Sequence, residues 1–69
     1  MTLEERINAA RKDGWDWETY EDVNDNIVLQ VWPKTDMVMY EYIYTAEGKP
    51  LEGYVHIVGG NGVEIERMF

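Results

Sequence analysis

The sequence predicts an α+β fold, one N-terminal helix packed on a four- or five-stranded antiparallel β-meander, and three observations carry that prediction. The first residues hold a complete helix-start signal ahead of an amphipathic stretch. From residue 26 onward the chain alternates strand-forming runs with short turn signals. With 69 residues and no cysteine, it has room for one domain, spanning 1–69, and no disulfide or thiolate metal site to shape it otherwise.

Thr2 and Glu5 stand in the T-x-x-E spacing of a capping box. Leu3, Ile7 and Ala10 follow at i, i+4 and i+7, on one helical face. Glu4 and Glu5 in the first turn and Arg11 and Lys12 in the last both complement the helix dipole. Gly14 supplies a left-handed stop. The helix is predicted over 3–13. Residues 15–23 admit two readings. Trp15, Trp17 and Thr19 alternate with Asp16, Glu18 and Tyr20 as in a strand, while Asp16 could instead cap a short helix with Trp17 and Tyr20 three apart. The alternation favours a strand.

Residues 22–26 are rich in Asp and Asn, which tolerate left-handed backbone, and read as a turn. A strand over 26–32 follows, then a turn over 33–36 with Pro33 fixing its first central φ. Residues 37–45, dense in Met, Val, Ile and Tyr, make the strongest strand. The chain turns again over 46–50 around Gly48, runs back over 51–58, and reverses at Gly59-Gly60-Asn61-Gly62, which carries an Asn-Gly hairpin signal. Residues 63–69 close the meander. This order is similar to that of Sm-like and other small, strongly bent β-barrels as topology, so the meander is expected to be strongly bent or barrel-like. The glycine and asparagine motifs of the Sm family are missing, and the charge opposes RNA binding.

Strand alternation sorts the side chains into two predicted faces. Ile27, Leu29, Val31, Met37, Met39, Ile43, Leu51, Val55, Ile57, Val63 and Ile65 form an aliphatic set, expected to pack on Leu3, Ile7 and Ala10 as the core. Trp32, Val38, Tyr40, Tyr42, Tyr44, Tyr54, His56 and Val58 form an aromatic set, with Glu52, Glu64 and Glu66 among them. One short helix covers one side of a sheet, so the aromatic set is the candidate interface. Tyr and Trp are enriched at binding hot spots, and carboxylates around them would form a polar rim. The candidate partner-binding residues are therefore Trp32, Tyr40, Tyr42, Tyr44, Tyr54, Glu52, Glu64 and Glu66. A plainer reading has the tyrosines cross-pairing on a solvated surface.

The formal charge is −8, from 14 acidic and 6 basic residues. Such a surface repels phosphate backbones, so direct nucleic-acid binding is not expected, and it favours basic partners. Residues 1–5 show no basic and apolar leader pattern, and no apolar run approaches the roughly 20 residues of a membrane helix. The expected setting is cytoplasmic, without a membrane partner.

Enzymatic chemistry finds few residues to work with. The chain has no Ser and no Cys, which removes Ser-His-Asp and Cys-His nucleophiles. Its one histidine, His56, cannot build a His-rich metal site and is expected to be structural. Asp22, Asn24 and Asn26 match the start of a calcium loop, but Ile27 stands where that loop needs Gly and Pro33 where it needs a bidentate Glu. The Gly59-Gly60-Asn61-Gly62 loop has the GXXG spacing of KH domains, yet it joins strands and lacks flanking basic residues. No metal, cofactor or catalytic residue is expected.

The expectation is a non-enzymatic acidic binding protein docking on a basic, nucleic-acid-binding partner. In size and acidity it looks like phage-encoded inhibitors of host defence, such as anti-CRISPR proteins and DNA mimics. The alternatives are a self-associating domain, a homodimer through the sheet face or an edge strand, and a designed protein without biological function. Trp15-Asp16-Trp17, the four Met and Glu41 amid aliphatic residues are not the choices of an idealised design.

Overall fold

Capping decides where the helix begins and ends. In the computed structural model, which describes residues 1–34 and 37–69, α1 spans Leu3–Asp13. The Thr2 hydroxyl accepts from the Glu5 N–H at 3.1 Å, and the Glu5 carboxylate accepts from the Thr2 N–H at 2.9 Å. Gly14 ends the helix at φ 71°, its N–H turned back onto the carbonyls of Ala10 and Arg11.

Five strands follow in chain order: β1 Asp16–Glu21, β2 Ile27–Trp32, β3 Val38–Tyr44, β4 Pro50–Gly59 and β5 Gly62–Arg67. They form one antiparallel sheet in the order β1-β2-β3-β4-β5. The segment with two readings is thus a strand. The sheet is not closed into a barrel, and β1 and β5 are its free edges.

Two of the turns share one device. In the first, the Asp22 carboxylate accepts from the N–H groups of Asn24 and Asn26 at 2.8 and 3.0 Å, and Asp25 takes the left-handed φ of 61°. In the second, the Thr45 hydroxyl accepts from the Lys49 N–H at 3.1 Å and Gly48 supplies φ 90°. The turn predicted over 33–36 includes Thr35 and Asp36, which lie outside the described residues. At the last hairpin the left-handed residue is Gly62 rather than Asn61.

The register of β2 on β3 decides which residues face the helix. Leu29 pairs with Tyr42, Val31 with Tyr40 and Ile27 with Tyr44, so these tyrosines share the helix side with the aliphatic residues of β2. Buried Ala10, Leu29 and Val31 form the core, with Leu3, Ile7, Trp15, Trp17, Tyr40 and Tyr42 packed against it. Tyr44 is fully buried. Its hydroxyl accepts from Arg6 Nε at 2.7 Å and donates to the Met1 carbonyl at 3.1 Å, tying α1 to the sheet. The Arg6 guanidinium lies 3.8 Å above the Tyr42 ring. Burial pushes the Tyr42 phenol above its ordinary pKa, against the pull of Arg6.

The two predicted faces are therefore wrong in phase, and both sets divide. Of the aliphatic set, Ile27, Leu29, Val31, Val55 and Ile57 lie on the helix side, while Met39, Ile43, Val63 and Ile65 register on the far side. Of the aromatic set, Val38, Tyr40, Tyr42, Tyr44, Glu64 and Glu66 fall on the helix side, and Trp32, Tyr54, His56 and Val58 on the far one. A register shift between Ile43 and Tyr44 skips Leu51, which is left half-exposed.

The C-terminal residues add a further layer on the helix side. Gly53, opposite Tyr42, donates its N–H to the Phe69 carbonyl at 3.2 Å and accepts from the Met68 N–H at 2.7 Å. Phe69 stacks on Tyr42 with ring centroids 6.4 Å apart. A Cβ at position 53 would stand 2.6 Å from the Phe69 ring, so glycine makes room for it.

Two predictions follow from this packing. Leu29→Ala should cost about 2–5 kcal/mol and Tyr42→Ala about 2–3, whereas Ile43→Ala on the far side should cost about 1. Urea melts rank the three, and an Ile43→Ala cost above that of Tyr42→Ala would contradict the register. The second concerns Glu5, whose carboxyl is held below the usual range by the Thr2 N–H and then by its hydroxyl. A depressed folded pKa stabilises above the unfolded value, near about 4.3, and that contribution is lost as pH falls through the folded pKa. An NMR titration should find the Glu5 midpoint below that of an unfolded peptide, and Thr2→Ala, which removes the hydroxyl but keeps the N–H, should raise it only part of the way back.

Candidate docking surface

The face turned away from α1 can be read row by row from the strand register. One row runs Tyr20, Val28, Ile43 and Glu52, the next Glu18, Gln30, Glu41, Tyr54 and Arg67. A third runs Asp16, Trp32, Met39, His56 and Ile65, with the Val58–Val63 pair beyond it. At the β1–β3 end the face covers itself, since Val28 is buried opposite Tyr20 and Ile43. At the β4–β5 end it does not: Val58, Val63 and Ile65 remain 44%, 59% and 60% exposed. A shallow hollow of about 270 Å³ lies there, walled by Trp32, Met39, His56, Val58 and Val63.

A polar cluster sits in the middle of these rows. Gln30 Nε2 donates to Glu41 Oε2 at 3.2 Å. Glu41 Oε1 lies 3.6 Å from His56 Nε2, an ion-pair separation too long for a hydrogen bond. His56 Nε2 is buried and has no hydrogen-bond partner among the described residues. Glu41 and His56 keep only 20% and 21% of their side-chain surface in contact with water. A carboxylate so placed loses hydration and gains one weak neutral donor in return, which is unfavourable to the isolated fold.

The register also places charge. Asp16, Glu18, Glu41 and Glu52 lie on this face against Arg67, and Arg67 is already 3.8 Å from Glu52 in an exposed pair. The far face is thus acidic around an aromatic and aliphatic middle. Five strands about 4.8 Å apart and about 20 Å long make a face of roughly 400 Å² in projection. That suits the small, transient end of protein interfaces.

Of the eight candidate residues, the structure brings Trp32, Tyr54 and Glu52 to this face. It moves Tyr40, Tyr42 and Tyr44 to the helix side, where they are packing residues, and Glu64 and Glu66 to the same side of edge strand β5. Sequence reasoning missed Glu41, Met39, Ile43, Val63 and Ile65 as members of the exposed face, while the alternation of residues 26–32 sets Gln30 on the side of Trp32, as the register has it. The signal for Glu41 was present, because it interrupts the aliphatic alternation Met37, Met39, Ile43. Among the described residues no group of three or more His, Cys, Asp or Glu could hold a metal ion. No helix among them is long and apolar enough to cross a membrane. No family model, curated protein or solved structure matches the chain.

The position of Glu41 yields a prediction. If the half-desolvated carboxylate serves binding rather than stability, Glu41→Leu should leave the fold intact and raise its stability by about 0.5–1.5 kcal/mol, since a hydrophobic isostere often outperforms a poorly compensated, partly buried charge. Thermal melts of the two proteins compare them. A destabilised Glu41→Leu protein would mean that the bond to Gln30 and the His56 pair hold the sheet together.

Proposed function

We propose that the protein is a non-catalytic binding module that engages a basic partner protein through the sheet face left uncovered by its helix. The observation that supports this most is the half-desolvated Glu41 at the middle of an acidic face whose aliphatic residues toward β5, Val58, Val63 and Ile65, have no cover. A Lys or Arg side chain from a partner would pair with Glu41 as Trp32, Tyr54 and Ile65 are covered around it. A charge-assisted bond closed off from water is stronger than an exposed one. The net charge of −8 would speed encounter with a basic surface, including one that otherwise holds nucleic acid. The protein would then act as an inhibitor or mimic, and the absence of cysteine suits a reducing, cytoplasmic setting.

A second reading rests on the exposure of Val58, Val63 and Ile65, which a second copy of the chain could cover. Light scattering on the purified protein separates the two, because only self-association gives a dimer without a partner.

The decisive comparison uses a partner captured from host lysate, identified by mass spectrometry, and then purified. Against it, Trp32→Ala and Glu41→Lys on the far face should each lose about 2 kcal/mol or more, roughly 30-fold in Kd by surface plasmon resonance. Glu64→Lys with Glu66→Lys, on the helix side, should retain affinity within a few-fold and slow association at low salt only. An acidic partner, or loss of binding from the helix-side pair and not from the far face, would overturn the proposal.

A further inference from the structure

Independently of the far face, we propose that the cleft beneath α1 binds a small ligand joining a flat apolar body to a carboxylate, with Arg6 as the anion-binding residue. The cleft has a volume of about 330 Å³ and is walled by Ala10, Trp15, Val31, Tyr40 and Tyr42, with Arg6 at its rim. That is the lower end of the range for small-molecule sites, enough for one or two fused rings. The walls are mostly apolar and three are aromatic, which suits a flat body able to stack. Tyr42 already accepts one such ring, that of Phe69.

Arg6 gives the cleft its chemistry. Its Nε–H is used by the Tyr44 hydroxyl, but the four N–H donors of Nη1 and Nη2 meet no acceptor among the described residues. Neither ion pair found among those residues includes it, although the chain carries 14 carboxylates. A half-buried guanidinium with no counter-ion among the described residues gives up hydration that the Tyr42 ring only partly replaces. It is also held in place, flat on Tyr42 and hydrogen-bonded to Tyr44. Little side-chain freedom is therefore left to lose when a carboxylate arrives, and the free fork of donors matches carboxylate geometry. The net charge of −8 opposes an anion at long range. At about 0.15 M salt that field is screened beyond about 8 Å, whereas contact with Arg6 is not.

The test titrates naphthalene-2-carboxylate into the protein at about 0.15 M salt, following amide shifts of Ala9 and Ala10 and the Trp15 indole by NMR. A two-ring acid of this size is expected to bind in the millimolar range, so the titration runs to about 10 mM. Naphthalene-2-carboxamide, with the same rings and no charge, should bind about tenfold more weakly. Arg6→Gln should remove that preference. Because Arg6 also ties α1 to the sheet, a second variant guards against simple unfolding: Ala9→Phe fills the mouth of the cleft from an exposed position and should block both compounds with the fold intact by circular dichroism. No shifts at the highest concentration, equal affinity for acid and amide, or parent-like binding by Ala9→Phe would each overturn the proposal.

Discussion

A five-stranded sheet has two faces, and this chain supplies one helix of 11 residues to cover them. A helix of that length is about 16 Å long, against a sheet about 20 Å across, so it can cover part of one face. The chain spends it over the β1–β3 half, where Ala10 meets Leu29 and Val31. It is fixed there by Tyr44, whose hydroxyl joins Arg6 and the Met1 carbonyl to the sheet. The remaining cover on that side comes from the other end of the chain, with Phe69 laid over Gly53 and against Tyr42. Both additions fall on the same face.

The far face carries the consequence. Where Tyr20 and Ile43 are large enough they bury Val28 between them, so part of the surface is closed by its own side chains. Toward β5 the residues are smaller and the strand is an edge, and Val63 and Ile65 have nothing above them. Between the two zones lies Glu41, with water partly excluded by its neighbours and its needs met by one amide donor. An isolated domain gains nothing evident from that arrangement, since an aliphatic residue there would extend the Val28 cluster. Departures of this kind from locally consistent design are expected where a surface is built for something other than stability.

Much of the backbone was legible in the sequence, and the reasons are local. Thr2, Glu5 and Gly14 mark the helix ends by hydrogen bonds within a few residues, and Asp22 and Thr45 mark their turns in the same way. The facing of the strands was not legible, because it depends on how each hairpin closes rather than on residue type. Leu29 pairs with Tyr42 and not with an odd-numbered neighbour, so the connection after Trp32 inverts the phase that aliphatic matching suggests. Tyrosine conceals the inversion. Its ring packs against Leu29 as an apolar body while the Tyr44 hydroxyl finds Arg6, and its polarity alone suggested the opposite side. The candidate surface inherited that error: Trp32, Tyr54 and Glu52 were found by type, whereas Glu41 and Ile65 needed the register.

The free edges narrow the chemistry of any partner further. An edge strand offers unpaired N–H and C=O groups to any extended segment, and proteins blunt such edges with charge. Here β5 places Glu64 and Glu66 on one side, and β1 carries Asp16, Glu18 and Glu21. If two copies met antiparallel along β5 about a two-fold axis normal to the sheet, same-face residues would lie opposite one another, and Glu64 and Glu66 would meet their counterparts. Like charges directly opposed on neighbouring strands are destabilising, so this route to a homodimer is opposed at neutral pH. A segment that added itself to β5 would avoid the repulsion with neutral residues at the matching positions and would gain attraction there with Lys or Arg. Strand addition and docking on the proposed Glu41 face differ in geometry, yet charge would favour a basic partner in both.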